Sequence, residues 1–394
     1  MDCKYLKECG SCTLFTPYSE QISFKTDLIK QNFSHFYEGK IDIFSSSPKH
    51  YRTRAEFGIW HEGSKLNYTM HASEKGKKVF IDECPKVCEQ ISHLMPRLLE
   101  SLQDDEILRT KLFGVEFIAC KSGTLVTLLY HKKLDSEFEA AMKILAGKLD
   151  VMILARSRGQ KLLSSELNLV DELNVDEQIY KFSLSENAFI QPNKAVNEKM
   201  IAWAKECVEG GADLLELYCG HGNFTIPLSF KFKNVLATEI SKSSIENALK
   251  NCELNGAKNI KFLRMDADEL MSAFAGVREF NRLKEINLSD LNFSHVLVDP
   301  PRAGLSESVI NFIRNFKNII YISCNPNTLK ENLNELTKSH KVIKFALFDQ
   351  FANTHHIECG VLLEAKDKFL KGKLKNGFIK QNNPSKDNDR SLCK

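Results

Sequence analysis

No apolar run in the 394 residues approaches the roughly 20 needed to span a bilayer, which excludes a transmembrane helix. The opening stretch, MDCKYLKECGSC, lacks the apolar centre of a secretory signal, so a cytoplasmic protein with no membrane partner is expected. Charge of one sign is scarce as well. The net charge of +3 is too small for composition alone to argue for nucleic acid. There is no internal repeat, and the only biased stretch follows Ala365, where lysines dominate and apolar residues thin out. Residues 367–394 are therefore expected to form a basic, disordered tail, either solvated or touching phosphates. What the chain does have is length and cysteine. At 394 residues it exceeds one ordinary core, so two domains are expected. Twelve cysteines in a reducing compartment argue for thiols, metal ligation or catalysis rather than structural disulfides.

From about Leu214 onward, short apolar strands alternate with helical stretches. DLLELY, NVLATEI, NIKFLRM, SHVLVD and NIIYIS read as strands; SKSSIENALKNCELNG reads as a helix with a serine start and a glycine stop. Such alternation predicts an open parallel sheet with helices on both faces. VIKFALFD and IECGVLLEA then read as a hairpin that adds an antiparallel edge. The first half opens on a helical stretch, TPYSEQISFKTDLIKQNFSHF, and continues in short alternating segments such as RTRAEFGIWHEG and GVEFIACKSGTLVTLLYHKK. The expected fold class is α/β, with a Rossmann-like C-terminal domain over residues 191–366 and an N-terminal α+β, largely antiparallel domain over residues 1–190.

Three segments carry chemistry. In LLELYCGHGNFTI a strand runs into Gly220-His221-Gly222 and a helix, but Thr225 stands where a dinucleotide fingerprint needs its third glycine. The next strand ends in Glu239, 17 residues after Gly222, where a carboxylate can accept both hydroxyls of a ribose. That arrangement is the one expected for S-adenosylmethionine, which has no pyrophosphate; a glycine turn without ligand is the plainer reading. In SHVLVDPPRAGL, Asp299 ends a strand ahead of two prolines that cannot continue a ladder. It faces a ligand or makes local turn bonds. In YISCNPNTL, Cys324 closes an apolar strand just before Asn325-Pro326. A core cysteine is usually a small hydrophobe, yet the C-terminal end of a parallel strand is where α/β enzymes hold their chemistry. A thiolate there is a nucleophile, and no base adjoins it in sequence. THHIECGVLL, with His355, His356 and Glu358, supplies the next candidates.

For RNA, PKHYRTRAEFGIWH places Arg52 and Arg54 two apart, on one strand face, with Tyr51, Phe57 and Trp60 among them. Basic and aromatic residues together suit phosphate contact and base stacking, although a solvated face is the alternative. Lys132, in YHKKLD, is a weaker version of the same signal.

Seven segments in order closely resemble the RNA uracil-5-methyltransferases: FIQPN, LLELYCGHGNF, ATEISKSSIENA, VREFNRL, VDPPRAGL, YISCNPNTL and DQFANTHHIECGVLL. HYRTRAEF, KLFGVEF and LLYHKKLD extend the resemblance into the first half. The resemblance implies a Rossmann-like S-adenosylmethionine methyltransferase domain behind an RNA-binding domain. It implies Cys324 as nucleophile and Glu358 as general base, with Gln191, Tyr218, Gly220, Asn223, Glu239 and Asp299 at the cofactor. Uracil C5 is a poor nucleophile until a thiolate adds at C6, and a carboxylate must then remove the C5 proton. The base must also leave its stack; an aromatic neighbour such as Phe351 is a candidate to hold it, although core packing is the more usual role of a single Phe. The likeness is strongest to the tRNA branch, so the expected partner of a monomeric enzyme is the T arm of tRNA, with tmRNA as a further substrate. The same chemistry on ribosomal RNA is one alternative. A non-catalytic RNA chaperone is another, although it would need neither Cys324 nor Glu358.

Cys3, Cys9 and Cys12 form C-x5-C-x2-C, and Cys84 follows much later in DECPKVC. Four thiolates can hold a [4Fe–4S] cluster or a zinc ion, and zinc knuckles more often show two C-x2-C pairs. The spacing is similar to the iron–sulfur signature of the ribosomal-RNA branch and departs from the tRNA branch. Against a ribosomal substrate, no additional RNA-binding barrel precedes the cysteines, and VREFNRL and FDQFANTHHIE follow the tRNA pattern. The expectation is a cluster on Cys3, Cys9, Cys12 and Cys84; zinc and unliganded thiols are the alternatives, and Cys88 competes as fourth ligand.

Overall fold

The computed structural model describes residues 3–278, 280–284 and 286–367. The expected tail therefore lies outside the described residues, apart from Asp367. All five strands expected in the C-terminal half form, and they build an eight-stranded sheet. Its order is Ile41–Phe44, His340–Phe348, Glu358–Ala365, Asn318–Ser323, Phe293–Val298, Asp213–Leu217, Asn234–Thr238 and Ile260–Leu263. Every neighbouring pair is parallel except the two made by Glu358–Ala365. Ile319–Ile322 is fully buried because helices cover both faces, which is why the central strands read as unbroken apolar runs.

The expected hairpin forms, but it is not the edge. Its outer strand, His340–Phe348, pairs in parallel with Ile41–Phe44 from the start of the chain. The helix Tyr18–Phe33 follows the same course, laying Ile29 and Phe33 on this sheet, with the Phe33 and Phe345 rings 5.0 Å apart. Residues 18–44 thus pack with the C-terminal sheet, although a division at residue 190 groups them with the first domain. A four-residue strand that pairs through backbone with the far end of the chain leaves no compositional mark.

The first half otherwise builds a seven-stranded sheet ordered Lys78–Ile81, Lys65–His71, Arg54–Glu62, Leu112–Cys120, Gly123–Tyr130, Met152–Ser157 and Gln160–Leu163. It is antiparallel apart from one parallel pair, joined across the helix Ser136–Leu149. The hairpin Leu169–Val175 and Gln178–Leu184 stands between the two sheets, and its Leu173 and Phe182 share a core with Leu125 and Trp203. No helix among the described residues is long and apolar enough to cross a membrane.

Candidate active site and RNA cleft

The strand Asn318–Ser323 stops because Pro326 has no N–H to give a ladder and its fixed φ starts the helix Pro326–Leu336. Asn325 caps that helix by accepting from the Asn327 N–H at 3.1 Å. Cys324 sits half-buried in this turn. The ladder with Glu358–Ala365 ends on the pair Ser323 and Cys359, so Cys324 and Glu358 are the next residues beyond it on the two chains, and the Glu358 carboxyl acts on the Cys324 thiol. Asp299 follows the adjacent strand, Phe293–Val298. Three residues on, the Arg302 carbonyl accepts from Asn325 Nδ2 at 3.0 Å, which ties the two turns together. Several strand ends converge here, at the carboxyl edge of the sheet.

The electrostatics are those of an acid-rich hollow. Burial pushes the Cys324 thiol up to about 11; Glu358 and Asp299 add to the rise and Arg302 opposes it. Burial likewise holds Glu358 well above the usual carboxyl range, with Asp299 raising it further and Arg302 lowering it. Asp299 is pushed up to about 7 by burial. Beneath them Glu216, 1 % exposed, is pushed up to about 8 by burial, and its Oε2 has no hydrogen-bond partner among the described residues. Carboxyls that raise one another are relieved by a cation. Arg302 is the protein's own contribution. Arg302→Gln is therefore expected to raise the Cys324 titration and slow its alkylation by iodoacetamide several-fold at mildly alkaline pH, read by mass spectrometry of the modified peptide.

The cradle beside this hollow depends on left-handed backbone. Tyr218, Gly220 and Gly222 have φ of 63°, 56° and 91°. A Cβ on Gly220 would meet nothing within 4 Å, so the surface above it is open, whereas one on Gly222 would meet Ile226 at 3.1 Å. Glu239 accepts from the Gly220 N–H at 3.1 Å and from the Ser241 N–H at 2.8 Å. A carboxylate offers about four acceptor positions, so two remain for a diol. Asn223 exchanges amide hydrogen bonds with Asn197 at 2.8 and 3.0 Å. Gln191 and Asn223 line one small pocket, together with Lys194, Asn197 and His221. An open glycine turn, a carboxylate with spare lone pairs and a hollow that favours positive charge together fit S-adenosylmethionine.

Arg302, from the turn tied to Asn325, also lines a cleft of about 380 Å³ together with Arg52, Arg54, Glu56, Lys86, Phe351 and His356. Arg52 and Arg54 do come together here, though not as one strand face: Arg52 precedes the strand and bridges by backbone to Val87 and Asn193. The Arg54 guanidinium also donates to the Ala188 carbonyl at 2.9 Å. Of the aromatics read with them, Tyr51 and Phe57 are buried and only Trp60 stands out, with the Lys78 ammonium 5.2 Å from its ring. Lys132 is not brought to the cleft. Its ammonium donates to the Ile107 carbonyl and lies 5.0 Å from the Phe138 ring, while burial lowers its pKa. Lys132→Met is expected to cost about 1 kcal/mol of stability in a denaturant titration and to leave RNA affinity unchanged.

With this geometry in place, known proteins supply a frame. A family model described as tRNA (Uracil-5-)-methyltransferase matches residues 17–366. The chain belongs to the tRNA (uracil-5-)-methyltransferase family. A tRNA/tmRNA (uracil-C(5))-methyltransferase of Campylobacter concisus is 95% identical over 366 residues, covering 93% of this chain and 100% of that one. The protein of the same name from Campylobacter curvus is 60% identical over the same shares. Among solved structures, the Pyrococcus abyssi tRNA (uracil-54, C5)-methyltransferase in complex with S-adenosyl-L-homocysteine is similar at a TM-score of 0.65. It is 21% identical, with 88% of this chain and 83% of that one covered, and it bears out the Rossmann-like α/β class.

In this family member Cys3, Cys9, Cys12 and Cys84 line one small cavity of about 20 Å³, together with Lys86, whose ammonium is held by the Ser11 carbonyl at 2.8 Å. Cys88 does not line it; it precedes the helix Glu89–Asp104 as N-cap. Burial raises the thiols of Cys3 and Cys12, and neighbouring cysteines raise them further. Every described cysteine is free, and among the described residues no three His, Cys, Asp or Glu side chains are set to hold a metal ion. The thiols are gathered, but not at the spacing of a single-ion site. Lys86 and the cleft position of Arg302 escaped the sequence reading.

Proposed function

We propose that the chain transfers the methyl group of S-adenosylmethionine to C5 of the T-loop uridine of tRNA, the uracil-54 position, and of the T-loop-like arm of tmRNA. The names of its relatives support the substrates. The observation that carries the chemistry is the convergence of Cys324, Glu358, Asp299 and Arg302, next to the end of the Ser323–Cys359 ladder, with Arg302 also lining a cleft that holds Arg52 and Arg54. When bound, S-adenosylmethionine supplies an electrophilic methyl group on a sulfonium. Gln191, Tyr218, Gly220, Asn223, Glu239 and Asp299 are the residues that would hold it. The Cys324 thiolate adds to C6 of uracil, and the electron pair this sends to C5 makes that carbon enolate-like and able to take a methyl group. Glu358 then accepts the C5 proton, and the returning electron pair breaks the C6–S bond and regenerates the thiolate. Arg52, Arg54 and Arg302 offer cations to the RNA backbone, and Phe351 offers a ring to the flipped base.

The test is incubation with labelled S-adenosylmethionine and unmodified tRNA, tmRNA or ribosomal RNA, followed by mapping of the methylated nucleotide. Label at the T-loop uridine is the expected result, and label in ribosomal RNA alone overturns it. Because the Cys324 thiol stands at about 11, its reactive fraction grows with pH, so kcat/KM is expected to climb from neutral into alkaline solution.

We also propose that Cys3, Cys9, Cys12 and Cys84 hold a [4Fe–4S] cluster with a structural role, since methyl transfer needs no redox step. Protein purified without oxygen is then expected to be brown, with iron and sulfide in stoichiometric amounts. Colourless protein, with zinc or without metal, counts against it.

A further inference from the structure

The loop between the last two strands, residues 349–357, does two things at once. It sets Phe351, Thr354 and His356 into the RNA cleft, and it delivers the chain to Glu358 at the start of its strand. Within it, the Thr354 hydroxyl donates to the Phe351 carbonyl at 2.8 Å and accepts from the His356 N–H at 3.3 Å. From outside, Thr13, Leu14 and Tyr51 bond to its Asn353, His355 and Ala352, and the first helix holds both of its ends. Lys25, on Tyr18–Phe33, is fully buried and spends all three ammonium protons on this loop. One goes to Asp349 Oδ1 at 2.6 Å, one to the Phe351 carbonyl at 3.2 Å and one to the His356 carbonyl at 3.0 Å. The other Asp349 oxygen accepts from the Tyr18 hydroxyl at 2.6 Å, and that hydroxyl accepts from the Ser46 N–H at 2.8 Å. One turn before Lys25, Gln21 donates to Asn353 Oδ1 at 3.2 Å and accepts from the Asn353 N–H at 2.9 Å. Asn353 holds a left-handed φ of 65°, a conformation that needs such external support.

Burying an ion pair is a poor route to stability, because desolvation consumes most of the Coulomb gain. What this pair gains is geometry. Two of the three donations go to backbone carbonyls on either side of the base-facing residues, the second only two residues before Glu358. We propose that Lys25 is a positioning residue for methyl transfer: by clamping the Phe351 and His356 carbonyls it sets where Glu358 meets the C5 proton. This rests on the roles given above to Cys324 and Glu358.

The test compares Lys25→Met with the double variant Lys25→Met/Asp349→Asn, which also removes the carboxylate that the single change strands in the core. Both are assayed as full chains, per folded molecule, on T-arm RNA. The expected result is a kcat lower by on the order of 10–100-fold with the KM for S-adenosylmethionine unchanged. The fraction of enzyme covalently joined to RNA at steady state is expected to rise, since release of the adduct waits on Glu358. A purely structural role would lower activity only in step with the folded fraction. The inference is overturned if kcat per folded molecule stays within two-fold of the parent, or if it falls without a rise in adduct. A double variant that fails to fold also overturns it, because the pair then serves the fold alone. Glu358→Gln, run alongside, separates the two claims. If it accumulates no adduct, the proposed chemistry is wrong; if it does and Lys25→Met does not, only the positioning role is.

Discussion

Cys324→Ala is expected to lose methyl transfer by more than about 10⁴-fold and to form no covalent complex with T-arm RNA carrying 5-fluorouracil. The size of the loss follows from the lack of a substitute. Cys359 is the neighbour in the facing strand, but it is wholly buried and alternation points it to the opposite face of the sheet from Glu358. Cys219 is also buried, under the glycine turn. Without a thiolate at C6, uracil C5 never gains the electron density to take a methyl group, so remaining activity should not depend on the other cysteines. Gel-shift under denaturing conditions reads the adduct, and label transfer reads the turnover. Retained turnover in Cys324→Ala would move the nucleophile elsewhere.

Glu358→Gln should behave in the opposite way at the adduct. Turnover falls by about 10²–10⁴-fold, the usual worth of a positioned base, while the covalent RNA complex accumulates. Removing the carboxylate also removes a charge that raises the Cys324 thiol, so the adduct should form at lower pH than in the parent. Stability gives an independent sign. Glu358 titrates well above its unfolded value, so the protonated carboxyl stabilises the fold at low pH and that contribution is lost as pH rises towards its folded value. Glutamine has no proton to lose there. The melting temperature of Glu358→Gln relative to the parent is therefore expected to grow from mildly acidic to alkaline pH. A constant difference would mean that the carboxyl is ionised without penalty.

The parallel strands were legible because a strand covered on both faces has to be an apolar run, and each was bounded by glycine, proline or a capping serine. Cys324, Asp299 and Glu239 were legible for the same reason: they are the first residues after such runs, where a side chain leaves the core. Their convergence was not, because it depends on strand order, and Glu358 reaches Cys324 only through an antiparallel strand inserted beside Asn318–Ser323. Lys132 and Lys25 show the limit from both sides. In sequence one is a basic residue next to an aromatic and the other a helix lysine, yet the first is tied to the Ile107 carbonyl and the second is sealed in the core by Asp349. A lysine's partner decides its task, and neither partner is near in sequence.

The strand Ile41–Phe44 bears on synthesis as well as on architecture. It leaves the ribosome early, but its pairing partner, His340–Phe348, emerges only near the end of translation. Until then Ile41–Phe44 has no strand to pair with, and Lys25 has no Asp349 to meet. Such long-range closure is slow, and it exposes apolar edges while it waits. The reactive thiol is therefore made before the loop that completes its site, and the enzyme becomes competent only once the last strand arrives. A nascent chain that ends between residues 324 and 357 carries the nucleophile but no base to release it from RNA.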